Sequence, residues 1–186
     1  MNEATDEEIV LQVQGGNAEP FGFLVERYEI KITRYAKKFL SNIQDIEDLV
    51  QDVFIKAYTN IQSFDASRRF SPWLYRIAHN EFVNTLKKKS RTPLSFFDFD
   101  TLFPHPFSKE TADGSMIERD IKNMLDKCLN RLDQKYREPL VLYYFEEIDY
   151  KEIAEILHIP LSTVGVRLNR GKNILKSIYS ETHADE

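Results

Sequence analysis

The chain has one cysteine, Cys128, among 186 residues. A lone cysteine excludes an intramolecular disulfide and a cysteine-based zinc site, and it suits a reducing compartment. Of the four histidines, only His158 has a glutamate three residues before it, Glu155. A di-iron bundle needs two such Glu-x-x-His pairs and further glutamates, so a helical metal-binding enzyme is the weakest reading and no metal or cofactor is expected. No glycine-rich phosphate loop and no persuasive nucleophile–base pairing occurs, so no catalytic residue is assigned. Long apolar runs are missing too: nothing approaches the ~18 residues of a membrane-spanning helix. The N-terminal MNEATDEEIV is acidic, unlike the basic-then-apolar start of a secretory signal. Together these absences predict a soluble cytoplasmic protein that performs no chemistry of its own.

Apolar residues make up 42% and charged residues 30% of the chain, which is enough for packed cores rather than disorder. The net charge of −5 would argue against a nucleic-acid partner if charge were evenly spread. It is not. From Arg68 to Arg91 there are seven basic residues against one acid, and from Leu161 to Ser177 four against none. Two basic patches in separate halves of an acidic chain point to two contacts with a polyanion, with the acidic remainder facing something else.

The second patch has a recognisable frame. Residues 149–176, DYKEIAEILHIPLSTVGVRLNRGKNILK, read as two helices about a tight turn. Asp149 and Glu152 have capping-box spacing, and Ile153, Ala154, Ile156 and Leu157 fall on a helical period. His158, in the turn, tolerates a left-handed backbone better than most residues. After Pro160, Val164, Leu168, Leu175 and Ile178 face inward, leaving Ser162, Thr163, Arg167, Asn169, Arg170 and Lys172 outward. Those side-chain types reach bases and phosphates in a major groove, so the pair reads as a DNA-binding helix-turn-helix.

The first half reads as four helices. Thr5 and Glu8 form another capping-box spacing ahead of a short helix that Gly15-Gly16 ends. Pro20 suits the first turn of a longer helix whose stripe runs from Phe21 to Leu40. A third, from about Asp45 to Ile61, buries Ile46, Leu49, Val50, Val53, Phe54, Ala57 and Tyr58, with Asp48, Gln51 and Asp52 on its other face. After the polar loop 62–70, Ser71-Pro72 reads as the cap and first turn of a helix to about Lys89. Residues 92–115 hold three prolines and a glycine, show no period and read as an interdomain linker, although Phe96, Phe97, Phe99, Phe103 and Phe107 are too apolar for a simple tether. Beyond it come one helix with Cys128 facing inward, a second from Gln134 to about Glu146 with Pro139 tolerable only near its first turns, and the helix-turn-helix. The fold class is all-α, with two small helical domains, 1–91 and 116–182, joined by an extended linker.

Taken in order, DIEDLVQDVFIKAY (45–58), RFSPWLYRIAHNEF (69–82) and the terminal helix-turn-helix resemble the polymerase-binding helix, the promoter-melting helix and the region 4 domain of small extracytoplasmic-function sigma factors of the sigma-70 family. The resemblance covers nearly the whole chain. It implies a region 2-like first domain in which Asp48, Gln51 and Asp52 contact the clamp coiled coil of the largest subunit of core RNA polymerase. Such a row at i, i+3 and i+4 shares one helix face and can pair with arginines. It implies −10 promoter DNA contacts from Phe64, Arg68, Arg69, Arg76 and Asn80, with Lys87, Lys88 and Lys89 on phosphates. Trp73 is read as a core residue. It implies −35 contacts from the outward residues of the last helix, a flap contact on the second-largest subunit, and an anti-sigma factor that in many members is membrane-anchored. Gly165, Val166 and Asn169 depart from the family's usual residues, leaving the −35 sequence undetermined. The linker could mimic nascent RNA or pack on either domain. A free-standing helix-turn-helix regulator would explain the second domain and leave the first without a role.

Overall fold

The computed structural model describes residues 4–89 and 124–183, with side chains described through Leu86 and Glu181. The segment read as a linker, with its five phenylalanines, lies outside these, as do the side chains of Lys87, Lys88 and Lys89. Every regular element described is helical, and the helices form two bundles.

In the first bundle, α1 (Asp6–Gln14) starts on the capping box: Thr5 Oγ1 accepts from Glu8 N at 3.2 Å and the Glu8 carboxylate accepts from Thr5 N at 2.8 Å. Two orphan amides are thereby satisfied. Helix α2 (Phe21–Lys37) buries Leu24, Tyr28, Ile32, Tyr35 and Ala36, and Pro20 stands just before it rather than inside its first turn. Helix α3 (Ile43–Asn60) begins two residues earlier than its periodicity suggests, because Asn42 Oδ1 takes the amide of Asp45. A single 3₁₀ turn, Ile61–Ser63, ends it. Tyr58, expected in the core, is 44% exposed and rests edge-on against Phe21 at 5.1 Å. It sits at the rim of the stripe, where a tyrosine can bury its ring edge and keep its hydroxyl wet.

Helix α4 (Phe70–Lys89) corrects the expected Ser71 cap. Phe70 already lies in the helix, and its amide donates to Glu7 Oε1 at 2.8 Å, so the acceptor comes from α1 instead of the adjacent serine. Pro72 then falls in the first turn, where a missing N–H has no intrahelical partner to lose.

The second bundle comprises α5 (124–130), α6 (Gln134–Tyr144), α7 (Tyr150–Leu157) and α8 (Leu161–His183). Cys128 is buried, as its periodicity predicts. Pro139 is the sixth residue of α6, inside the helix and in its second turn, near the start as expected. The burial of Leu140, Val141 and Leu142 outweighs the lost hydrogen bond there. Helix α8 lies along α6 closely enough that a Cβ on Gly171 would meet Leu140 Cδ1 at 3.0 Å and Tyr136 Cβ and O at 3.3 Å. The bundles also meet each other, through α4 against α7, and the buried apolar residues of both form one continuous cluster.

Candidate nucleic-acid interface

Helices α3 and α4 leave a cavity of about 240 Å³ between the end of one and the middle of the other. Lys56, Asn60 and Ser63 come from the α3 side and Trp73, Ile77 and Asn80 from α4, with Glu81 beneath. The polar walls are internally braced. Glu81 Oε1 holds Lys56 Nζ at 2.6 Å, Asn60 Nδ2 donates to the Lys56 carbonyl at 2.8 Å, and Ser63 Oγ donates to the Asn60 carbonyl at 2.7 Å. One flat aromatic face, two amides and an ammonium suit a planar, hydrogen-bonding guest such as an unstacked base.

Of the residues that the resemblance assigns to the −10 strand, Asn80 lines the cavity and Phe64 does not. Phe64 is buried, 5.0 Å from the Trp73 ring and 5.8 Å from that of Phe70. It supports Trp73 from behind, and Trp73, read as a core residue, both packs on the core and lines the cavity. Lys56, Asn60 and Ser63 escaped the sequence reading, since a polar residue near a helix end carries no periodic signal.

The loop between the 3₁₀ turn and α4 is an ordered turn. Asp65 Oδ1 accepts from Ser67 N at 3.0 Å and Ser67 Oγ at 2.7 Å, and Arg68 N donates to the Asp65 carbonyl at 2.9 Å. Those two hydrogen bonds from Ser67 are the leading causes that hold the Asp65 carboxyl below its ordinary range. From α1, Gln14 Nε2 donates to the carbonyls of Ile61 and Phe64 at 2.7 and 2.8 Å. So braced, the loop presents Arg68 and Arg69 outward, with Arg76 and Asn80 exposed on α4 one turn apart. Arg68, Arg69 and Arg76 do not line the cavity; they flank it.

On α3, Asp48, Gln51 and Asp52 are all exposed on one face, beside Ile55, itself 51% exposed. The helix-turn-helix forms as its sequence dictates. Asp149 and Glu152 make the reciprocal capping box, and His158 takes the left-handed conformation at φ 53° with its amide on the Ala154 carbonyl. Val164, Leu168 and Ile178 of α8 are buried. Ser162, Asn169, Arg170 and Lys172 are exposed on it, with Thr163 and Arg167 half-buried. Among the described residues a Cβ on Gly165 would meet only Tyr150 Cε2 at 3.9 Å, so none of them requires glycine there. Among the described residues no group of side chains could hold a metal ion, and no helix is long and apolar enough to cross a membrane.

The amino-acid sequence matches two family models: sigma-70 region 2 over residues 24–92 and sigma-70 region 4 over 122–175. The ECF RNA polymerase sigma factor SigW of Bacillus subtilis is 35% identical over 175 residues, covering 90% of this chain and 92% of the relative. The ECF RNA polymerase sigma-E factor of Haemophilus influenzae is 31% identical over 182 residues, covering 93% and 94%. In three dimensions the sigma factor RpoE of Bartonella quintana, solved with the anti-sigma factor NepR, is similar with a TM-score of 0.69 and 27% identity, over 85% of this chain and 95% of that one.

Proposed function

The chain belongs to the extracytoplasmic-function sigma factors of the sigma-70 family, and from that premise we propose how its faces divide the work. It directs RNA polymerase to promoters and is not an enzyme. On our reading, residues 1–91 and 116–182 are separate functional domains joined by 92–115. Asp48, Gln51 and Asp52 of α3 bind the clamp coiled coil of the largest core subunit, and the second domain meets the flap of the second-largest. The observation that carries this is the division of α3 itself: its middle exposes the acid and amide row, while Lys56 and Asn60 at its C-terminal end wall a base-sized cavity. One helix thus links core binding to the −10 element.

Within that cavity Trp73 stacks on a base turned out of the duplex and the Asn80 amide reads its edge, which supplies sequence selection. Arg68, Arg69 and Arg76, with Lys87 and Lys88, hold the strand by its phosphates, which supplies affinity and salt dependence. Capturing that base favours the separated strands and so starts melting. Helix α8 enters the major groove of the −35 element, with Arg167 and Arg170 nearest the base edges, Asn169 beside them, and Ser162, Thr163 and Lys172 on the backbone. An anti-sigma factor, membrane-anchored or free, holds the protein inactive until a signal releases it; the solved complex of a similar sigma factor with NepR supports such a partner.

Run-off transcription by purified core polymerase on a fragmented genomic library, with and without the protein, tests this reading. New RNA 5′ ends sharing paired upstream elements are the expected result. Folded protein that yields no new starts with active core would overturn it.

A further inference from the structure

The exposed side of α8 carries one residue that neither the core nor the charge pattern accounts for. Val164 and Leu168 are buried in the core, and the opposite side of the helix exposes Ser162, Val166, Asn169, Arg170 and Asn173. At about 100° per residue these five share an arc of roughly 100°, so they form one line along the helix. Four of them are the hydroxyl, amide and guanidinium types that hydrogen-bond base edges or phosphates. The fifth, Val166, stands within that line and is 50% exposed.

A single exposed valine is ordinary on a protein surface. Its setting here is not. Folding gains little from it, since half of it stays in water and valine sustains a helix less well than alanine. From Leu161 to Ser177 there are four basic residues and no acid, which suits a polyanion and brings Val166 inside any such contact. Gly165 beside it has no side chain and Val166 a short one, so the helix can seat deeply in a groove. Among the edges that the four bases show in the major groove, thymine alone offers a methyl group. A valine laid on any other edge leaves a donor or acceptor unpaired once water is excluded. Laid on thymine, it removes apolar surface from water on both partners.

We propose that Val166 is a specificity-determining residue of the −35 contact and takes the C5 methyl of a thymine on one strand of the duplex. The assignment rests on α8 lying in the major groove of that element. The cations of α8 make binding depend on salt, whereas a methyl contact carries no charge and discriminates equally at every salt concentration.

Run-off transcription with core polymerase supplies the −35 element, and each thymine in it, on either strand, is then replaced singly by deoxyuridine. The exchange removes one methyl and leaves base pairing intact. Holoenzyme assembled from core polymerase and the full chain should bind one of these duplexes about fourfold more weakly, the scale of one buried methyl-sized group. That ratio should stay constant as added salt weakens both duplexes. Val166→Ala holoenzyme should bind the thymine and deoxyuridine forms of that duplex equally, and alanine at an exposed helical position keeps α8 folded. Three results would overturn the inference: a −35 element with no thymine on either strand, no deoxyuridine penalty at any position, or penalties that all persist in Val166→Ala. In each case new starts with paired upstream elements would still uphold the two-element reading. No new starts at all would overturn that reading and this inference with it.

Discussion

Two glycines in one helix illustrate how differently the same residue can be held. A Cβ on Gly165 would make an ordinary contact with Tyr150 Cε2 at 3.9 Å, whereas one on Gly171 would press on α6 at 3.0–3.3 Å. Gly165→Ala should raise stability by roughly 0.5–1 kcal/mol, the helix-propensity gain, and thermal unfolding would show it. Gly171→Ala gains the same propensity and loses more: the Tyr136 carbonyl cannot retreat, so a net loss of about 1–2 kcal/mol is expected, read as a lower denaturant midpoint. If the stabilised Gly165→Ala chain also loses −35 promoter use, the glycine serves close approach to DNA. At the cavity, Asn80→Ala should broaden −10 selection in transcription on a panel of −10 variants and leave affinity for core polymerase unchanged. Equal use of every variant before and after substitution would sink that assignment. The Phe64 and Trp73 exchange shows the limit of reading residues singly. Both are large aromatics near one loop, and which of them faces outward depends on where α4 starts, a choice made by Glu7 on another helix.

Helix α1 looks expendable in sequence, a short acidic segment outside the matched region, yet it braces the loop beside the cavity. Gln14 serves two loop carbonyls and Glu7 caps α4. Gln14→Ala should cost about 1–2 kcal/mol, because the half-buried Phe64 carbonyl loses its donor while that of Ile61 keeps the Phe64 amide, with a loss of promoter opening larger than the loss of core binding. The middle of helix α3 has the opposite character, since Asp48, Gln51 and Asp52 are exposed and Asp48 accepts from Gln44 of the same helix. Asp48→Arg with Asp52→Arg should therefore abolish core binding and leave the unfolding curve nearly unchanged, exposed charge reversals being mild. Unchanged affinity in a core-binding assay would remove the polymerase role from this face. Both capping boxes and the left-handed turn at His158 were legible in the sequence because they are local devices, decided within four or five residues.

Across the whole molecule, Glu138 of the second bundle lies 2.7 Å from Nδ1 of His79 on α4, largely buried, and this pair makes the contact between the bundles depend on pH. His79 is raised above its ordinary 6.5, so its contribution is complete below that value and lost as pH rises through the raised one. Glu138 is lowered from 4.5, so its contribution is complete above that value and lost as pH falls through the lowered one. The pair is thus at full strength between 4.5 and 6.5. Other groups face the pair from the helices around it: Tyr35, Gln134, Arg76 and His158, with the Arg34–Glu146–Tyr75 cluster beside them. The clean measurement is therefore the difference in stability between the protein and His79→Gln. That difference should shrink as pH rises through the raised His79 value; a difference constant with pH would show that the pair does not hold the bundles.

The amino-acid sequence alone determined the helices, the two-bundle architecture and the family, because helical period, capping boxes and motif order are properties of the chain taken along its length. It also marked the outward charges of α3 and the helix-turn-helix. It read Glu138, Glu146, Arg137 and His79 as nothing in particular, since a charged residue in a helix is solvated until something covers it. Only the tertiary structure decided that these side chains are buried against one another, that Trp73 rather than Phe64 walls the cavity, and that Glu152 and Glu155 lie on Arg68 and Arg69. Each of those outcomes depends on residues far apart in the chain whose meeting is fixed by packing, and no local pattern encodes it.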